Sequence, residues 1–181
     1  TFYQCGEGYV LDPETLEQAG LAPWVPLDGI SAHPKVDEAT GELMFFNYSV
    51  HAPYMHYGVV NAAGELAHYV EIPLPGPRLP HDMAFSENWS ILNDMPLFWD
   101  AGLLERNIHA VKQHPLPTRF ALIPRHGTPD QIRWFEAAPT YVLHWLNAYE
   151  EGDEVVLDGY FQDNPTPKPL ENADGYGQLM A

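Results

Sequence analysis

The chain has 181 residues, 45% hydrophobic and 13% aromatic, and sets 25 Asp and Glu against 8 Lys and Arg for a formal net charge of −17. So acidic a surface repels phosphate backbones and anionic lipid, which argues against nucleic-acid binding. Cys5 is the only cysteine, so neither an intrachain disulfide nor a cysteine-based zinc or iron–sulfur site can form, and no window approaches the roughly 18 apolar residues of a membrane span.

Taken in chain order, strand signals dominate. Val10-Leu11 runs into a turn at Asp12-Pro13, and residues 17–21 are expected to add one helical turn. Residues 43–50 are aromatic and branched, 54–60 continue the pattern after Pro53, and 66–74 return from a turn at Asn61–Gly64. Further short strands are predicted over 82–85, 89–92, 119–123, 132–135, 141–146 and 154–160, with about two helical turns over 101–108. The 18 prolines, spread along the chain, block long helices and favour turns and edge strands. Short runs broken every 8–12 residues or so are the rhythm of a sandwich, barrel or propeller. One all-β domain over residues 1–181 is therefore expected. The chain lacks an initial Met and closes on a Pro-rich stretch, which suggests an internal fragment. No targeting segment is recognisable, so a cytoplasmic location is expected.

Nine histidines are the unusual part of the composition. His33, His81 and His144 each fall in or beside a strand signal, 48 and then 63 residues apart. A propeller blade takes about 40–50 residues, so one histidine per blade, on the strand nearest the axis, would bring the three together. An insertion over residues 98–117 accounts for the longer second interval. A lone strand histidine is more often a hydrogen-bonded core residue than a ligand. His51 and His56, five apart and so on opposite faces of a strand, are read as structural, His68 as half-exposed, and His109, His114 and His126 as solvated loop residues.

His33 lies in ISAHPKVDEATGEL, His81 opens HDMAFSENWSILNDMPLFWD, and His144 sits in IRWFEAAPTYVLHWLNAYEEGDEVVLDG. In this order the three segments resemble the carotenoid cleavage oxygenase family, most of all its bacterial lignostilbene-dioxygenase branch. That resemblance implies a seven-bladed β-propeller, present here in part, with an iron(II) on its axis held by four imidazoles. His33, His81 and His144 match the first three ligands; the fourth, near the family's C-terminus, has no counterpart in this chain. Of the family's outer carboxylates, the N-terminal one falls at Gln4 or Glu7.

Neutral imidazole suits ferrous iron, and carboxylates outside an all-histidine shell would orient the rings and moderate the metal's charge. The implied reaction inserts both atoms of dioxygen across one C=C bond of a small aromatic or polyene substrate and releases two carbonyl fragments. The preferred substrate is a phenolic stilbene, on the Asn93–Asp100 run, with apocarotenoids second. An alkene supplies all the electrons that dioxygen requires, so no nicotinamide or flavin is expected, and Gly6-Glu-Gly8 lacks the third glycine of a dinucleotide loop. The rivals are a propeller that binds partners without iron and a hydrolytic propeller using calcium or zinc. The isolated fragment is expected to be inactive, with one ligand missing and sheet edges open.

Three further sets of residues admit two readings each. Glu150 and Glu151 could bond a ligand ring or simply end a strand, and Asn147 is expected to serve a turn. Trp134, Phe135 and Trp145 could line an aromatic cavity, with core packing expected for at least two of them.

Overall fold

A computed structural model of the chain describes residues 6–108 and 111–162. In β4 (Glu42–Tyr48) side chains alternate between two faces. Met44 and Phe46 enter one apolar cluster and Phe45 enters another, so the strand is covered on both sides. β5 (Met55–Val60) repeats the pattern, sending Met55, Tyr57 and Val59 to the first cluster and Val60 to the second. Burying each such large side chain is worth about 1.5–3 kcal/mol. With β3 (Lys35–Asp37) and β6 (Leu66–Glu71) these strands form an antiparallel meander in the order β3-β4-β5-β6.

A second four-stranded sheet follows, built from β7 (Ala84–Phe85), β8 (Trp89–Asp94), β11 (Thr118–Pro124) and β12 (Arg133–Ala137), adjacent in that order. Leu92, Ala121 and Ile123 complete the first cluster, so the two sheets pack face to face. The Tyr57 hydroxyl donates to the Arg125 carbonyl at 3.0 Å and lies 2.7 Å from Ser90 Oγ, a buried polar tie across the same interface. β13 (Tyr141–Glu151) and β14 (Glu154–Gln162) form a long hairpin. Tyr141 and Val142 pack with Met95 and Leu97 in a third cluster, on the far side of the second sheet.

The insertion expected over residues 98–117 is a hairpin of β9 (Leu97–Trp99) and β10 (Val111–Gln113), carrying the single helical turn α1 (Ala101–Leu104). The two helical turns expected over 101–108 shrink to one, because Asn107 adopts a left-handed φ of 59° and ends the helical path. The helical turn expected over 17–21 is corrected outright. Gln18–Leu21 is strand β2, paired with β1 (Tyr9–Leu11). The Asp12 carboxylate accepts the Glu14 and Thr15 amides, and Leu16 takes a φ of 60°, so the chain reverses into a hairpin instead of coiling.

Gly58 faces the Phe45 ring so closely that an added methyl would overlap the ring edge and sit 3.1 Å from the His68 carbonyl oxygen. Gly58→Ala in the complete protein should therefore cost about 1–3 kcal/mol of unfolding free energy, read by chemical denaturation. Unchanged stability would mean that the ring moves aside freely.

At the rim between the two sheets Arg125 donates to the Ser86 carbonyl and to Asp37. The Arg125 hydrogen bond is the first cause holding the Asp37 carboxyl below its usual 3.8, followed by the Ala39 amide. A depressed carboxylate contributes stability that is full above its unfolded value and lost as pH falls through the folded one. The difference in thermal midpoint between wild type and Asp37→Asn should thus be constant near neutrality and shrink below about pH 4. A gap that widens on acidification would contradict the pairing.

Candidate metal centre

Three backbone irregularities present the three histidines. His33 is followed by Pro34 and lies in the loop entering β3; His81 is preceded by Pro80 and lies in the loop entering β7. Proline offers no amide hydrogen to a ladder, so both segments stay outside regular pairing. His144 lies within β13, where the register shifts between Val142 and Trp145 and leaves it opposite no ladder partner. Each histidine thus belongs to the first strand, or the approach to it, of its sheet or hairpin. The equivalence follows from the meander itself and accounts for the spacing in sequence.

The rings converge. One nitrogen from each of His33, His81 and His144 lies within 4.8 Å of the other two, and the Nε2 atoms of His33 and His81 are 3.0 Å apart. Ring centroids are separated by 4.6 Å for His33–His81, 4.9 Å for His33–His144 and 5.1 Å for His81–His144. Burial lowers the His33 imidazole below its ordinary value, opposed by the Asp82 charge, with His144 and Lys35 adding to the depression. Burial, then the His33 and His144 rings, push His81 down to about 4. Both rings are therefore neutral near pH 7, each with a lone pair to offer.

This donor set fits a divalent transition metal. Two imidazole nitrogens about 2.1 Å from an ion and at right angles to each other stand about 3.0 Å apart. The trio is also partly screened from water, His33 and His81 being half-buried and His144 exposed.

Directly behind the rings lies Asp82, 2% exposed. Its Oδ1 accepts the Met83 amide at 2.8 Å and faces Lys35 Nζ at 2.7 Å, while its Oδ2 accepts the Trp145 amide at 3.0 Å. Sequence reasoning placed Asp82 only as the start of a strand over 82–85, whereas β7 begins two residues later. The one available signal was an acid directly beside a candidate ligand.

The other histidines among the described residues do not join the trio. His56 stacks on Tyr69 with centroids 4.8 Å apart and bonds Asn47, His68 faces the Gly127 carbonyl, and His126 pairs with Glu42. His51 is exposed at a bend. His114 is half-buried against Phe98, so the expectation that it is a solvated loop residue fails; His109 lies outside the described residues. The hydrogen bonds of Glu150 among the described residues go to Ser86 and Asn88, not to an imidazole. The carboxylate accepts Ser86 Oγ and the Asn88 amide, both at 2.7 Å, tying the end of β13 to the β7–β8 turn. Asn147 is part of β13, opposite Asp158, and not in a turn. Glu7 accepts the Tyr9 hydroxyl, and Gln4 lies outside the described residues.

Two of the three aromatics pack as expected. Trp134 lies against the inter-sheet cluster under the Arg119 guanidinium, and Trp145 meets Phe120 edge to face at 5.9 Å. Phe135 is 52% exposed. With Trp89, Ile91, Phe120 and Trp145 it lines a cavity of about 560 Å³ between the second sheet and the β13–β14 hairpin. A larger cavity of about 690 Å³ runs along Lys35, Phe85, Arg125, Asn147 and Tyr149. None of the three histidines lines either one.

Residues 1–178 match the family described as Retinal pigment epithelial membrane protein. The carotenoid 9,10(9',10')-cleavage dioxygenase of Crocus sativus is 39% identical over 165 residues, which cover 86% of this chain and 30% of the relative. The isoeugenol monooxygenase of Pseudomonas nitroreducens is 33% identical over 175 residues, 93% of this chain and 36% of that one. Among solved structures, the lignostilbene dioxygenase of Pseudomonas brassicacearum superposes with a TM-score of 0.77 at 29% identity, over 87% of this chain and 35% of its own. The chain thus spans about a third of the length of these relatives. Its structural neighbours are β-propellers, in accord with the all-β propeller reading of the sequence. Among the described residues no helix is long and apolar enough to cross a membrane.

Proposed function

The chain belongs to the Retinal pigment epithelial membrane protein family, the carotenoid cleavage oxygenases, and from that premise we propose that it is one part of a larger propeller, a non-haem iron(II) dioxygenase that cleaves an alkene C=C bond. His33, His81 and His144 are the metal ligands it contributes. The observation that carries the reading is their convergence within 4.8 Å from positions 48 and 63 residues apart in the chain. Three side chains so distant in sequence meet at one point at some cost, since burial disfavours the charged form of the His33 and His81 rings.

Bound ferrous iron supplies the redox chemistry that inserts both atoms of dioxygen across the double bond. The protein's own part is to hold the rings neutral and aimed at one point. Desolvation at His33 and His81 does the first, and the loops entering β3 and β7 do the second. Balance requires no external reductant: the C=C bond breaks, each carbon takes one oxygen atom, and two carbonyl fragments leave. The preferred substrate is a phenolic stilbene. Two of the similar proteins are named for lignostilbene and isoeugenol, both phenolic alkenes; the Crocus relative, named for a carotenoid, keeps apocarotenoids as the second class. A cytoplasmic enzyme acting on a small diffusible molecule completes the proposal.

The test is to express the complete protein, measure its metal content, and assay lignostilbene against an apocarotenal under isotopically labelled dioxygen. Stoichiometric iron, faster loss of lignostilbene and label in both carbonyl products are expected. Zinc in place of iron, together with no loss of either alkene and no consumption of dioxygen, would sink the dioxygenase reading in favour of a hydrolytic propeller.

A further inference from the structure

Asp82 contacts all three histidine-bearing segments. Lys35, two residues after His33, faces Oδ1 at 2.7 Å; Met83, two residues after His81, donates its amide to Oδ1 at 2.8 Å; Trp145, next to His144, donates its amide to Oδ2 at 3.0 Å. The Asp82 backbone is itself fixed, because Asn93 Nδ2 donates to its carbonyl at 2.6 Å and Asn93 is buried. The two carboxylate oxygens therefore take one hydrogen bond or ion pair from each segment. An ionised carboxylate only 2% exposed demands such compensation, and here the compensation comes from the three chain segments whose relative placement sets the distances between the rings.

A bland reading exists, that Asp82 merely ties sheets together. Two contrasts argue against it. Asp94 is equally buried and paired to Arg78 and Arg119, yet its partners come from the second sheet and the segment just before it. Arg125 also ties the first sheet to the second, but through Asp37 and Ser86, four and five residues beyond His33 and His81 rather than one or two. Asp82 alone among these clamps reaches all three.

We propose that Asp82 is a positioning residue of the metal centre: one buried carboxylate fixes the mutual spacing of the loops bearing His33 and His81 and the bulge bearing His144, and sets a negative charge beside a ligand set that has none. The inference rests on the metal reading given above. It makes Asp82 the counterpart, through the backbone, of a carboxylate bonded directly to a ligand ring. Asparagine at position 82 keeps the size but turns an NH₂ group toward at least one of the three donors, so one segment loses its hold.

The experiment uses the complete protein, stripped of metal and titrated with Co(II), whose ligand-field absorption reports the geometry of its ligands. Wild type should bind with a defined band pattern. Asp82→Asn should weaken Co(II) binding about 10–100-fold and shift the bands. Arg125→Met, which breaks the inter-sheet clamp away from the histidines, should lower the thermal midpoint and leave affinity and bands unchanged. Lys35→Met removes a single donor from the carboxylate and should shift the bands by less than Asp82→Asn; it decides the matter if Asp82→Asn does not fold. Wild-type affinity and spectrum in Asp82→Asn, an unmoved spectrum in Lys35→Met, or equal losses in Arg125→Met would each overturn the positioning role. Failure of the wild-type protein to bind Co(II) would overturn the metal reading itself, and this inference with it.

Discussion

His81→Ala in the complete protein is expected to abolish stoichiometric metal binding and lower alkene cleavage by more than about 100-fold, since loss of an outer partner of a ligand alone costs about 10–100-fold. The His81 ring is the natural choice. Its Nε2 lies 3.0 Å from that of His33, its centroid is 5.1 Å from that of His144, and burial with these neighbours pushes it down to about 4. Alanine removes a nitrogen from the trio and leaves the other two without the geometry to hold an ion firmly. Fold stability should change little, because the ring is only half-buried. Metal content by elemental analysis and turnover on lignostilbene are the two readings. A His81→Ala protein that keeps its iron would remove His81 from the ligand set.

The largest stability loss is expected at Asp94. Its carboxylate, 2% exposed, pairs with Arg78 on one oxygen and with Arg119 on the other. Arg78 is itself buried and sits over the Phe98 ring, 3.8 Å from its centroid, so it has little access to water once its partner is gone. Asp94→Ala leaves that guanidinium as an uncompensated buried charge, at a cost of about 3–5 kcal/mol. Arg119 is more exposed and contributes less of this. Chemical denaturation of the complete protein measures the loss. Replacing all three residues by apolar ones of similar volume should recover much of it, because the desolvation cost disappears along with the pairing. A drop of under about 1 kcal/mol in Asp94→Ala would show that water reaches Arg78 after all.

Strands β4, β5, β6, β8, β11, β12 and β14 were legible in the sequence because their apolar residues alternate or run together between turn signals. The three histidines were legible because each sits in its own motif, in or beside a strand signal. What escaped was set by contacts distant in sequence or by single dihedral angles. Strand β2 hides behind Leu16, whose left-handed conformation turns an apparent helical turn into a hairpin. Strand β3 is three residues long, with a charged residue at either end and only Val36 between them. The bulge that frees His144 shows only in how β13 pairs with β14. Asp82 was missed for the same reason. A strand reading points its side chain away from that of His81, whereas its carboxylate reaches donors 47 positions before and 63 after it. Glu150 reads as a charged strand end until Ser86 and Asn88 are seen to be its partners.

The most direct measurement is anomalous X-ray scattering from crystals of the complete protein at the iron absorption edge. A single strong peak within bonding distance of His33, His81 and His144, absent below the edge, is the result expected. Density for iron elsewhere, or an empty space among the three imidazoles in protein that cleaves its alkene, would contradict the account at its root.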